Sequence, residues 1–590
     1  MGITPFFKLM KRFFTLLVIL STLIATAHAE QVSADRAMSI ACDVLGQTTR
    51  SNTLYVAWDS SLFAQTRVER IEPTFYVVTP TSGEGFVIVA GDDVVAPVLA
   101  YSEMCYAPLD DNLPKNFEAW LRYVDRVVRE ARTAGIKPNS AVAELWNETY
   151  EPVDALMLNT ARWSQVAPYN DQCPIESDAH SLTGCTQTAM AIIMRHHRWP
   201  ERAKGVTEPY TTMYGLDVPA RDLNHSYDWD NMIDTYVEGE YNDTQANAVA
   251  TIMADLGHAF KANYTALDTA ASPDMSVLYN NFGYSPASRI VISTNPGMSY
   301  KYWVTLLRRE LEANHPIFYV GYTSDNAGHA FVLDGVDAND YFHANWGWNG
   351  LYDGFFLLDN LTLDSYHFTE SHWAVLGMHP MRDGEVDNAL SLASAGLTIS
   401  ETQFEKNREF SIESITVVNN SLLIFNGEVR VGVCDSRGEW KSWASDAVKF
   451  YLLSGHQDSR QGIRAVVESD IEAGDRLCAF YRSNESDKWF RIYASAQSAT
   501  EEVVMKYAPI GDTTSMSFDK QSGLLVVDYD DDVKSALYLL GEYVESGVTI
   551  TKGRMVLDTK LLNSEAEYTI LLRREGVEDK NIRFKINKAQ

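Results

Sequence analysis

The apolar periodicity of this chain changes character near residue 380, and that change constrains the fold most. Beyond Met381-Arg382-Asp383-Gly384, alternating apolar runs recur at 410–418, 427–433, 447–453 and 489–494, and again at 524–529, 548–552 and 568–572. Helical spacing is scarce there. Period-two runs split by turns predict two small β-sandwich modules, over 395–505 and 510–590. No strict repeat or low-complexity tract interrupts them.

Upstream, helices and strands mix. A short helix is expected over 34–45, then strands at 74–79, 85–90 and 94–101 with a turn at Gly91-Asp92-Asp93. Phe117, Trp120, Leu121, Val124, Val127 and Val128 lie at helical spacing with charged residues between them. These elements make a small α+β domain within 30–150, with 138–153 expected as a connecting loop. A larger α+β domain follows over 151–382. Its first helix is expected over 186–198, stopped by Pro200, with further helices over 244–262 and 302–313. Strands are expected at 317–321, 329–336, 341–345 and 355–358. A chain of 590 residues exceeds what one core supports, so several domains are required.

Lys8, Lys11 and Arg12 precede the apolar run 13–25, and Ala27-His28-Ala29 follows. This is the pattern of a secretory signal over 1–29, cleaved after Ala29, so a secreted protein is expected. No later stretch approaches the ~20 apolar residues of a membrane helix. The net charge of −30 argues against nucleic acid or anionic lipid as the main partner. Six cysteines, at 42, 105, 173, 185, 434 and 478, are too scattered for a disulfide scaffold. None forms a CxxC pair or a zinc-type group with histidine, so neither metal nor cofactor is expected. Cys434 and Cys478 fall in strand-like segments of one region, and spacing leaves their pairing open.

Chemistry concentrates in three segments. Thr183-Gly184-Cys185-Thr186-Gln187 places Cys185 at the start of the first helix of the larger domain, with Gly184 allowing the tight turn before it. Unpaired N–H groups and the helix dipole there favour a thiolate, the nucleophilic form. His329 heads an apolar strand in Gly328-His329-Ala330-Phe331-Val332, at a rim suited to a general base. Asn345 lies sixteen positions later, in Asn345-Trp346-Gly347-Trp348. Its carbonyl can accept the imidazole Nδ1–H, and the Trp346 indole can cover that bond from water. Gln165, in Trp163-Ser164-Gln165, can join the Cys185 backbone N–H as an oxyanion donor. A thiolate–imidazolium resting pair is expected.

The motifs Trp-Ser-Gln-x-x-Pro-Tyr-Asn-x-x-Cys-Pro, Thr-Gly-Cys-Thr-Gln-Thr-Ala-Met-Ala and Gly-His-Ala-Phe-Val-Leu-Asp-Gly, followed by His-Ala-Asn-Trp-Gly-Trp-Asn-Gly, resemble the streptopain family of secreted bacterial cysteine proteases. Interpain-like enzymes of Bacteroidetes carry similar motifs. The likeness is strong over 158–380 and weaker over 34–137, where Phe-Val-Ile-Val-Ala-Gly-Asp-Asp resembles the family's propeptide. It implies a papain-like catalytic domain with the cleft between a helical and a β half, and an inhibitory α+β propeptide domain covering that cleft. It further implies Cys185 as nucleophile, His329 as base, Gln165 in the oxyanion hole, and Asn345 with Trp346 orienting and shielding the histidine. Protein or peptide substrates, and the chain's own propeptide as inhibitor, are the partners it implies. Val320, the loop 322–327 and Thr269-Ala270-Ala271-Ser272-Pro273 depart from streptopain in loops that the resemblance implies contact substrate, which leaves subsite preference open.

Two other classes fit parts of the pattern. One is a binding protein dominated by its β modules, and the other is a different acyl transfer on the same dyad. The complete Cys/His/Asn/Gln set favours peptide hydrolysis.

Overall fold

A computed structural model describes residues 31–46, 54–59, 73–80, 84–103, 113–148, 154–176, 178–294, 298, 300–321, 329–358, 372–382, 390–401, 403–472, 474–495, 498–505, 514–529, 533–539, 542–563, 566–573 and 580–586. The leader at 1–29, Cys105 and the loop 322–327 lie outside them. The chain divides into two compact units, residues 1–382 and 383–590.

In the first unit an antiparallel sheet, eleven-stranded among the described residues, forms the frame. Its order is Leu54–Asp59, Phe75–Pro80, Phe86–Ala90, Val98–Ser102, Gly354–Phe356, Phe342–Asn345, His329–Asp337, Ile317–Gly321, Trp373–Leu376 and Arg289–Ile292, with Ala155–Met157 also pairing with His329–Asp337. The N-terminal strands and those of the larger domain therefore share one hydrogen-bonded ladder. Tyr101 lies opposite Phe355 and Ala100 opposite Phe356 at the junction.

Both faces of the central strands are covered, which is why they read as unbroken apolar runs. Phe318, Val320, Ala330 and Val332 belong to a core with Met190, Ile193 and Met194 of the helix Cys185–His197 and with Ile252, Met253 and Leu256 of the helix Asp243–Ala259. Their strand neighbours Ile317, Tyr319, Phe331 and Leu333 face the opposite core, with Phe117, Trp120 and Val124 of the helix Lys115–Ala134 and Trp303 and Leu307 of Tyr300–Glu312. Alternation along each strand sorts the side chains between these cores. Caps mark two of these helix ends. Asn242 and Gln245 form a reciprocal capping box, and Gly135 ends the helix Lys115–Ala134 in the left-handed region at φ 63°.

The segment expected as a loop after Pro138 contains a helix, Ser140–Leu145. Asn139 caps it by accepting the Val142 N–H at 2.9 Å, and Val142 is buried. Six residues are too few to show helical periodicity.

The second unit is all strands among its described residues. One four-stranded and one six-stranded sheet cover 390–504, and two four-stranded sheets cover 515–585. The later pair encloses its own core of Val527, Leu537, Met555, Leu557, Ile570 and Leu572. The chain is thus α+β, with a papain-like catalytic portion and strand-built C-terminal modules.

Candidate active site

Cys185 is the first residue of the helix Cys185–His197, and Gly184 is its N-cap with φ 89° and ψ 152°. A Cβ at 184 would lie 2.6 Å from Thr269 O and 2.7 Å from Gln187 Oε1, so glycine is required by both dihedral and space. The turn is held from behind. The Gly184 carbonyl accepts the Thr188 N–H at 3.1 Å and its hydroxyl at 3.0 Å, and the Thr183 and Thr188 hydroxyls meet at 2.8 Å. Ahead of it, the Thr186 hydroxyl donates to Ala271 O at 2.8 Å and ties the helix start to the 265–271 loop.

Gln165 and Cys185 are brought together through the backbone. The Thr183 N–H donates to Gln165 O at 3.2 Å, two residues before the cysteine. The side-chain amide of half-buried Gln165 has no hydrogen bond among the described residues and remains available to a ligand. On the opposite wall, the backbone N–H of Ala330 reaches the Cys185 sulfur, which puts the strand head carrying His329 against the helix start. The structure therefore gathers Gln165, Cys185 and the His329 segment in one place.

Burial pushes the Cys185 thiol above its ordinary range, and Asp268 adds to this, while the N–H groups of Ala330, Thr186 and Cys185 itself pull the other way. Burial is the largest of these influences, and the N–H groups at the helix start offset it in part.

The Asn345 side chain is held by its own neighbours. Its amide donates to Thr160 Oγ1 at 3.0 Å and to Ala161 O at 2.9 Å, and its Oδ1 accepts the Gly347 N–H at 3.1 Å. The described bonds of this side chain thus fasten the 160–161 segment and the following turn, not the imidazole. Trp346 is buried, with its indole N–H on Tyr352 O at 3.0 Å and its ring 4.6 Å from that of Phe331 and 6.1 Å from Phe117. It reaches the strand of His329 through Phe331.

Behind Asn345 lies a cavity of about 470 Å³ lined by Tyr101, Arg162, Asp334, His343, Asn345 and Asp353 among others. His343 Nδ1 and Asp334 Oδ1 stand 2.5 Å apart, and the Thr160 hydroxyl donates to Asp334 Oδ2 at 2.6 Å. Burial alone would raise Asp334, but His343 and Thr160 outweigh it and hold the carboxyl below its usual range. The same partner outweighs burial at His343 and raises it. Asp353 accepts the Trp346 N–H at 3.0 Å, and burial nonetheless raises its pKa to about 7. None of the three acid–base residues was singled out in the sequence. Strand alternation was the available signal for His343, since it lies two residues before Asn345 and shares its face.

Two family models match this chain. The Peptidase C10 family covers residues 163–356, and the Spi protease inhibitor family covers 29–128. The thiol protease/hemagglutinin PrtT of Porphyromonas gingivalis is 30% identical over 60% of this chain, which spans 41% of that protein. Streptopain of Streptococcus pyogenes serotype M1 is 31% identical over 48% of this chain and 74% of its own length. Among solved structures, a prointerpain A fragment of Prevotella intermedia is 28% identical with a TM-score of 0.43, covering 52% of this chain and 96% of that one. The inhibitor match falls on the N-terminal lobe, which identifies it as the propeptide of a zymogen. The protease match spans Gln165, Cys185, His329 and Asn345, and with the likeness to streptopain it makes this chain a member of the peptidase C10 family of cysteine endopeptidases.

Proposed function

We propose that this protein is an exported endopeptidase zymogen that hydrolyses peptide bonds of host or environmental proteins through Cys185 and His329. The observation that carries this reading is the convergence at the helix start, where Thr183 binds Gln165 on one side and Ala330 N–H meets the Cys185 sulfur on the other. Export rests on the leader at 1–29. Among the described residues no helix is long and apolar enough to cross a membrane. The proposed divisions are a signal at 1–29, a propeptide over 30–150, a protease over 151–382 and β-sandwich modules over 395–505 and 510–590.

In the mechanism, His329 takes the proton of the Cys185 thiol and the thiolate attacks the scissile carbonyl carbon. The Gln165 amide and the Cys185 N–H donate to the resulting oxyanion, an assignment supported by a helix-terminal N–H and a side-chain amide free of other described bonds. The imidazolium protonates the departing amine, which leaves a thioester. Water, deprotonated by His329, then attacks the thioester carbonyl and frees the acid and the thiol. Trp346 steadies the histidine strand through Phe331, and Asn345 holds the wall behind it.

Replacing Cys185 with Ala should abolish both propeptide removal and casein cleavage, and labelling by an irreversible thiol-protease inhibitor should disappear with it. Gln165→Ala should retain labelling while turnover falls about 10- to 1000-fold, as for single oxyanion donors. Casein cleavage by Cys185→Ala at the wild-type rate would overturn the assignment.

A further inference from the structure

A pair of thiols lies in the C-terminal unit, far along the chain from the protease chemistry. Strand Phe425–Cys434 runs antiparallel to Arg476–Ser483, with Gly432 opposite Cys478 and Cys434 opposite Arg476. Residues 432 and 434 share a face, so both sulfurs project from the same side of the sheet, one rung apart on neighbouring strands. Both cysteines are fully buried, in an apolar cluster with Phe480 that Trp443 and Trp489 pack against.

Gly432 shares the rung of Cys478. A Cβ there would stand 3.2 Å from Phe480 Cε2 and from Trp443 Cε3, so the absent side chain lets both rings close over the thiols. Arg491 completes the surroundings. Its Nη2 donates to Glu502 at 2.7 Å, its Nε is buried without a hydrogen-bond partner, and its charge acts on both sulfurs. A buried cation with unspent donor capacity beside two thiols favours the thiolate needed for exchange.

We propose that Cys434 and Cys478 are a redox pair that closes into a cross-strand disulfide once the exported chain meets a disulfide oxidant. Export here rests on the leader reading given above. The reaction is two thiol–disulfide exchanges. The Cys434 thiolate attacks one sulfur of the oxidant, expels its other sulfur as a thiol and forms a mixed disulfide. The Cys478 thiolate then attacks Cys434 Sγ and expels the second thiol. The protein gives up two electrons and two protons, and the oxidant takes both. Because the finished sheet buries both sulfurs, closure takes place before Trp443 and Trp489 cover them.

The test uses the full chain with Cys185→Ala, exported into an oxidising compartment and unfolded in iodoacetamide without reductant. Peptide mapping should find the Cys434 and Cys478 peptides joined, two hydrogens lighter than the free pair, while Cys173 is alkylated. Reduced protein refolded with oxidised glutathione should regain the same link, and a reductant should then lower the midpoint of the C-terminal transition. Separate alkylation of Cys434 and Cys478, or a glutathione adduct on each without a link between them, would overturn the proposal. Because wild-type residues are mapped at both positions, a folding defect in a serine variant does not obscure the result.

Discussion

The phenol of Tyr101 donates a 2.7 Å hydrogen bond to Asp337 Oδ2, tying the last propeptide strand to the end of the strand that begins at His329. The same ring stacks on Phe355 with centroids 5.1 Å apart. Around it, Leu357 N–H donates to Leu99 O at 3.0 Å, and the Trp120 indole N–H to Leu357 O at 3.2 Å. The propeptide is therefore held as part of the protease's own sheet, a form of strand addition.

Tyr101→Phe should loosen that joint selectively. Burial has already raised Asp337 above its ordinary range, and the phenol is among the groups that offset this. Losing a hydrogen bond to a buried charged group costs about 1.5–3 kcal/mol, equivalent to roughly ten- to a hundred-fold in propeptide affinity. The prediction is faster maturation of the zymogen at unchanged kcat of the mature enzyme, read by following propeptide loss on gels. Equal maturation rates would show that the joint does not limit activation.

Gly184→Ala should damage catalysis more than stability. The methyl group would meet the Thr269 carbonyl at 2.6 Å in a backbone region that disfavours side chains. Strain of this kind costs about 1–3 kcal/mol, but displacing the adjacent nucleophile by about 1 Å can cost on the order of 100-fold in rate. Thermal melts and kcat/KM measured on the same preparation separate the two effects. A wild-type rate with a lowered Tm would place the burden on the fold alone.

The stability of the zymogen should fall as pH rises from about 4 to 7, and Asp353 should carry the slope. Its pKa is about 7 in the folded chain against an ordinary 3.8, so the folded state keeps a proton that the unfolded chain has released. Stability from this group is complete below the unfolded value and is lost on the way up to the folded one, a total on the order of 4 kcal/mol. His343, also raised, adds loss at higher pH, whereas Asp334, lowered, costs stability only at acid pH. Asp353→Asn in a Cys185→Ala background should flatten the melting temperature between pH 4 and 7. An unchanged slope would assign the pH dependence elsewhere.

The strand Ile317–Gly321 and the helix Cys185–His197 were legible because each matches one periodicity and ends at a turn residue. The helices Asp243–Ala259 and Tyr300–Glu312 were legible for the same reason, to within a turn at their ends. What the pattern could not express was partnership across the chain. Nothing in the run 98–101 says that Tyr101 pairs with Phe355, because backbone ladders are indifferent to side chains. The surroundings of Cys185 were hidden for a related reason. A helix start is a local feature, whereas the burial that opposes it comes from packing between distant segments. Gln165 was readable as a donor, but the Thr183 bond that brings it to the cysteine was not.

Asn345 offers the sharpest separation between a catalytic and a positioning role. Its amide serves Thr160, Ala161 and Gly347, and all these bonds are buried. Asn345→Ala would strand the Ala161 carbonyl and the Gly347 N–H, at about 1–3 kcal/mol each, and relax the turn that leads into Trp346. The expected result is a Tm lower by several degrees and a reduced kcat, with the acid limb of the kcat/KM profile where it was. A residue that accepted the imidazole N–H would instead stabilise its protonated form, and its loss would move that limb to lower pH. A displaced limb at unchanged Tm would therefore restore Asn345 as the partner of His329, and an unmoved limb with a falling Tm would fix it as a strut behind the site.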